Sequence, residues 1–127
     1  MNEKILVVDD EQRLVEMLKT RLEANHYQVI TAFDGQEALK KAREEKPDLM
    51  ILDLMLPKLD GYQVCRLLKF DKTMDKTPII MLTALGQRDD REWGKKVNAD
   101  AYITKPFEAE ELLECIRRLI TKTGKKL

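Results

Sequence analysis

Four apolar runs in this chain each give way to a side chain capable of chemistry. Ile5-Leu6-Val7-Val8 leads into Asp9 and Asp10, Leu49-Met50-Ile51-Leu52 into Asp53, Ile79-Ile80-Met81-Leu82 into Thr83, and Tyr102-Ile103-Thr104 into Lys105. If one cleft gathers these groups, its carboxylates repel: two unit charges about 4 Å apart cost about 4 kcal/mol at an effective dielectric near 20. Positive charge must then be present. Lys105 supplies one such charge, and the carboxylates with nearby backbone carbonyls make an oxygen-only, partly hydrated site suited to Mg²⁺ or Mn²⁺. Zinc is disfavoured, because no His or Cys lies near these positions. A carboxylate beside a hard cation, an ammonium and a hydroxyl is the set of groups needed to take up a phosphoryl group as an aspartyl phosphate.

Taken singly, these residues have plainer uses. Asp10 could cap the helix that begins near Glu11, Lys105 could be one more solvated lysine, and Thr83 could be a strand-end hydroxyl bonded to backbone. Asp53 resists such an explanation, since it follows four apolar residues in what reads as a central strand, where a lone charge has a large desolvation cost.

The elements that must position these groups alternate. Each apolar run is followed by apolar residues at helical spacing: Leu14, Val15, Leu18 and Leu22; Ala38, Leu39 and Ala42; Val64, Cys65 and Leu68; Trp93 and Val97; Leu112, Leu113, Ile116, Leu119 and Ile120. Val29-Ile30 supplies the remaining run. Five strand–helix units in alternation predict a doubly wound α/β fold, a five-stranded parallel sheet covered by helices on both faces. The first, third and fourth strands are continuously apolar and belong in the centre. The second, over Tyr27 to Thr31, is interrupted by polar residues, and the short fifth suits the other edge. Order 2-1-3-4-5 satisfies this, whereas 3-2-1-4-5 would bury the second strand. In the preferred order the connections diverge between the first and third strands, so the cleft beyond their carboxyl ends should hold Asp9, Asp10 and Asp53, flanked by Thr83 and Lys105. Asp34-Gly35 and Asp60-Gly61 read as turns before helices, and Pro47, Pro57, Pro78 and Pro106 lie between elements.

Composition narrows the function. The 127 residues suit one domain, expected over 1–121, with 122–127 a flexible tail or the start of a linker. The 23 basic and 23 acidic residues cancel, which argues against direct nucleic-acid or membrane binding by this chain. Apolar runs fall far short of the ~20 residues that cross a bilayer, and no export signal is visible, so a cytoplasmic protein is expected. Cys65 and Cys115 read as reduced, buried thiols. His26 has no partner in sequence, and the chain contains no Ser, which leaves a hydrolase triad without components. The methionines, among them Met50, Met55 and Met81, read as packing. The loop after the first strand lacks the glycines of a dinucleotide binder.

With these residues in hand, the chain resembles the receiver domains of two-component response regulators over about Lys4 to Ile120. The resemblance rests on Val7-Val8-Asp9-Asp10-Glu11, Leu52-Asp53-Leu54-Met55-Leu56-Pro57 with Asp60-Gly61, Met81-Leu82-Thr83-Ala84, and Ala101-Tyr102-Ile103-Thr104-Lys105-Pro106-Phe107. It implies that Asp53 accepts the phosphoryl group from a histidine kinase or a phosphotransfer protein. Asp10, Asp53 and the backbone carbonyl of Met55 would bind Mg²⁺, with Asp9 acting through water. Lys105 would pair with Asp53 and then with the phosphoryl group, Thr83 would move to bond it, and Tyr102 would rotate inward behind Thr83. The fourth predicted helix, fifth strand and fifth predicted helix would form the surface that controls an output partner or domain. The Lys105–Pro106 bond would be cis. Within the family the motifs look most like receivers that precede winged-helix DNA-binding domains. That subgroup usually has two acidic residues before its Tyr, but here Asp100 is followed by Ala101. A monomer is therefore expected, with dimerisation on phosphorylation an open alternative.

A different class competes: a Mg²⁺-dependent phosphatase or phosphotransferase with an aspartyl nucleophile. Enzymes resembling the haloacid-dehalogenase group carry a second Asp two positions after the nucleophile as general acid, and here that position is Met55. Turnover of p-nitrophenyl phosphate beyond stoichiometric labelling would favour the enzyme.

Overall fold

Five strands form one parallel sheet in the order β2-β1-β3-β4-β5. They are β1 (Lys4–Val8), β2 (Gln28–Ala32), β3 (Leu49–Asp53), β4 (Ile79–Ala84) and β5 (Ala101–Lys105). The computed structural model describes residues 2–84 and 99–122. Four helices accompany the sheet among these residues: α1 (Gln12–Ala24), α2 (Gly35–Glu45), α3 (Gly61–Lys69) and α4 (Ala109–Lys122). The helix expected over 88–97 and most of the expected tail lie outside the described residues. The α4 segment is the fifth helix predicted from sequence.

The central strands carry unbroken apolar runs, at 5–8, 49–52 and 79–82, because both of their faces are covered. Successive side chains alternate between two cores. Leu6, Val8, Met50, Leu52, Ile79 and Met81 face Ala38, Ala42, Val64, Cys65 and Leu68 of α2 and α3. Ile5, Val7, Leu49, Ile51, Ile80 and Leu82 face Val15, Leu18 and Leu22 of α1 and Leu112, Ile116 and Ile120 of α4. The outer strands β2 and β5 are only partly buried, as their interrupted sequences require.

Local signals set the helix starts. Asp34 accepts from the Glu37 N–H at 2.8 Å at the head of α2. Asp60 and Gln63 exchange reciprocal bonds at α3, at 2.9 and 3.1 Å, and such caps each contribute about 1 kcal/mol. At α1 the N-cap residue is Glu11, with no side-chain capping bond. The capping role open to Asp10 is therefore not used.

Boundaries shift modestly from the sequence reading. β2 begins at Gln28 rather than Tyr27, because the Tyr27 N–H still bonds to Leu22 O at the end of α1. β4 and β5 run on through Thr83 and Lys105, since the ladder continues with Thr83 beside Thr104 and Ala84 beside Lys105. Met50 and Met81 are fully buried, but Met55 is 63% exposed and does not pack in the core. Both cysteines are buried free thiols, and the Lys105–Pro106 peptide is cis.

Candidate functional site

Register brings the predicted groups to one edge of the sheet. Val8 pairs with Leu52, and Asp53 with Leu82, so Asp9 stands abreast of Asp53 and Thr83 lies one residue beyond. Lys105 ends β5, next to Thr104, which pairs with Thr83. Ligand oxygens of Asp9, Asp10 and Asp53 all lie within 4.8 Å of one another. Asp9, Asp53 and Thr83 are buried, whereas Asp10 is exposed at the mouth.

Asp9 is more heavily engaged than the sequence suggests. One carboxylate oxygen accepts from the Glu11 N–H at 2.9 Å, and the other accepts from Lys105 Nζ at 2.8 Å. Lys105 lies farther from Asp53 Oδ1, at 3.6 Å. The lysine thus makes its hydrogen bond to Asp9 and a longer ion pair to Asp53, the pairing that the family resemblance implies. The reason is electrostatic: Asp9 is 0% exposed, and a carboxylate removed from water needs the nearest cation. Burial works against the Lys105 ammonium, but the hydrogen bond to Asp9 and the charges of Asp53 and Asp9 outweigh it and raise its pKa.

Asp53 feels the opposite balance. Burial, reinforced by the neighbouring Asp9 carboxylate, raises its pKa to about 6, against the pull of Lys105 and of the Met55 N–H. That N–H lies 3.4 Å from Asp53 Oδ1. A carboxylate that is deprotonated at pH 7 yet poorly compensated favours an incoming cation. The donor set is oxygen only, the geometry is convergent, and Asp10 opens to water, so the residues fit a hard divalent ion.

Tyr102 lies on β5 beside Met81, with its ring against the α2–α3 core. Its hydroxyl is buried without a hydrogen-bond partner, and burial, with the Cys65 thiol next in effect, pushes its pKa up to about 12. His26 sits in the α1–β2 connection with φ 73°, far in sequence from the cleft residues.

Sequence reasoning missed two supports. Asp100 accepts from Lys69 Nζ at 2.9 Å and from the Ile79 N–H at 2.8 Å, tying α3 to the starts of β4 and β5. Gly61 passes directly beside the end of β3: a Cβ there would lie 2.8 Å from Leu54 Cα. The Asp60-Gly61 dipeptide signalled a turn, but not this close approach.

Comparison with known proteins agrees with the architecture. A family model described as the response regulator receiver domain matches residues 5–117. The alkaline phosphatase synthesis transcriptional regulatory protein PhoP of Bacillus subtilis is 50% identical over 123 residues, which cover 97% of this chain and 50% of PhoP. The DNA-binding dual master transcriptional regulator RpaA of Synechocystis is 42% identical, with 96% and 51% covered. The chain thus spans about half the length of these curated relatives. Among solved structures, the receiver domain of the Francisella response regulator 1452 superposes with a TM-score of 0.87 at 36% identity, covering 96% of this chain and 99% of that one. The chemotaxis response regulator CheY4 of Vibrio cholerae gives 0.88 at 34% identity, with 94% and 99% covered. With its sheet order, its acidic edge and these matches in agreement, the chain belongs to the response regulator receiver domains of two-component systems.

Proposed function

We propose that Asp53 accepts a phosphoryl group from a histidine kinase or phosphotransfer protein, and that this chain is a phosphorylation-controlled switch rather than a turnover enzyme. The observation that carries this reading is the buried Asp53 carboxylate at the end of the central strand β3, with Asp9, Asp10 and Lys105 converging on it. In the transfer, an Asp53 oxygen attacks phosphorus, the P–N bond of the donor phosphohistidine breaks, and the imidazole leaves with its electron pair and takes up a proton. Lys105, held by Asp9 at the rim, is placed to neutralise a phosphoryl oxygen. Asp10, Asp53 and the Met55 carbonyl would hold Mg²⁺, with Mn²⁺ able to substitute and Asp9 contributing through water. When bound, that ion neutralises charge that develops on the phosphoryl oxygens. The relatives' names as transcriptional regulators suggest that the output is transcription, exercised by a partner or domain outside this chain.

Metal binding in the absence of phosphate should be weak, because few protein ligands are available. Asp10→Ala is expected to abolish the calorimetric Mg²⁺ signal and Asp9→Ala to reduce it. Unchanged affinity in Asp10→Ala would count against the site.

The switch itself is expected to run through Thr83, which is buried one residue beyond Asp53 in register. Phosphorylation, or beryllofluoride in its place, should change hydrogen exchange mainly in residues 84–108 and leave α1 and α2 nearly unaffected. Thr83→Ala should still be labelled at Asp53 but lose most of that change, because a ligand shifts two states only through its differential interactions with them. A uniform change in exchange, or a Thr83→Ala protein that responds like the native chain, would refute the coupling.

A further inference from the structure

The loop between β3 and α3 carries the Met55 carbonyl and sets the geometry around Asp53, yet it contains an uncomfortable turn. Leu59 N–H bonds back to Pro57 O at 2.9 Å, and Lys58 between them has φ 71°. This is a γ-turn with a positive central φ, a rare and strained form for a residue with a side chain. Such strain persists only where the surroundings enforce it.

The enforcement comes from the start of α2. Gly35 N–H donates to the same Pro57 oxygen at 3.3 Å. The Lys58 ammonium reaches Asp34 Oδ2 at 3.5 Å. The helix start also lies so near the loop that a Cβ on Gly35 would fall 2.6 Å from Leu59 Cβ and 2.7 Å from its carbonyl carbon. Backbone cannot yield there without moving the loop. From these contacts we infer that Gly35, on a helix that contributes no side chain to the cleft, is a positioning residue for the phosphoacceptor site: its lack of a side chain lets α2 clamp the strained 57–59 turn and so fix the Met55 carbonyl relative to Asp53. The inference rests on the Mg²⁺ and Asp53 reading given above and extends it to a residue outside the cleft.

The test is Mg²⁺ calorimetry on the full chain, paired with thermal melting. Gly35→Ala should weaken Mg²⁺ binding about tenfold, the scale on which groups supporting metal ligands act. Labelling by acetyl phosphate should slow at low Mg²⁺ and recover at saturating Mg²⁺. Ala42→Gly, in the last part of the same helix and fully buried, provides the control: it should lower the melting temperature and leave Mg²⁺ affinity unchanged. Should Gly35→Ala fail to fold, Leu59→Ala loosens the turn from its own side and should weaken Mg²⁺ binding in the same direction. Native affinity in a folded Gly35→Ala protein, or in Leu59→Ala where that protein is used, would overturn the clamp alone. An equal loss of affinity in Ala42→Gly would reduce Gly35 to ordinary helix stability and overturn it too. Absence of Mg²⁺ binding by the native chain would overturn the site reading and the clamp with it.

Discussion

Asp53→Asn is expected to stabilise the metal-free protein by about 3 kcal/mol at pH 7. Each unit of pKa shift corresponds to about 1.4 kcal/mol. The Asp53 value stands at about 6, raised from 3.8 by burial and by Asp9, so the folded state bears a charge that the unfolded chain carries at less cost. The pH dependence follows from the sign. Above pH 6 both states are ionised at this position and the full penalty applies. Between about pH 6 and pH 4 the folded state takes up the proton first, so the penalty shrinks as pH falls, and below about pH 4 it vanishes. The advantage of Asp53→Asn in urea unfolding should therefore be largest at neutral pH and absent near pH 4. The substitute's amide oxygen can still accept from the Met55 N–H, so no hydrogen bond need be lost. Saturating Mg²⁺ should narrow the gap at pH 7 by stabilising the native chain, since a ligand that binds only the folded state adds stability by mass action. Equal stability of the two proteins across this range would show that Asp53 is not held in an unfavourable environment.

Lys105→Met should act in the opposite direction, with a loss of about 2 to 3 kcal/mol. Removing one partner of a buried ion pair leaves a charge without compensation, at a cost of about 3 to 5 kcal/mol when both groups are fully buried. Here Asp9 is wholly buried and the Lys105 side chain 26% exposed, which places the loss below that range. The pairing geometry makes a specific prediction for the double variant. If Lys105 serves Asp9 first, as the 2.8 Å contact indicates, then Asp9→Asn combined with Lys105→Met should recover at least half of the lost stability. Measured as coupling, once the effect of each Asp→Asn change alone is subtracted, Asp53→Asn should interact with Lys105→Met less strongly than Asp9→Asn does. The reverse ranking in urea unfolding would put the lysine's principal partner at Asp53.

The parts of this molecule that were legible in its sequence are those fixed by burial on a large scale. Residues 5–8 of β1, 49–52 of β3 and 79–82 of β4 are continuously apolar because two cores need them, and that continuity gives both their centrality and the sheet order. Once the order is known, strand-end residues must meet, and Asp9, Asp10 and Asp53 do so. What was not legible depends on distances of an ångström or two between segments far apart in the chain. Nothing in sequence tells whether Lys105 prefers Asp9 or Asp53, since both close the same edge and the choice follows from how completely each is buried. The Lys69–Asp100 pair joins positions 31 apart, and neither residue differs in type from many solvated neighbours. Gly35 and Gly61 signal turns through the Asp-Gly dipeptides, but the backbone each one shelters becomes visible only after folding. Met55 looked like packing by its type, and its exposure follows from its place in the loop beyond Asp53.

The central claim is that Asp53 takes the phosphoryl group, and chemical labelling tests it most directly. The native chain and Asp53→Asn would be incubated with acetyl phosphate and Mg²⁺, and the modified residue mapped by mass spectrometry after proteolysis under conditions that preserve acyl phosphates. The account predicts one phosphoryl group per native chain, located on Asp53, dependent on Mg²⁺ and lost in Asp53→Asn. Labelling of Asp53→Asn at the native rate and extent, or native labelling centred on another residue, would contradict it.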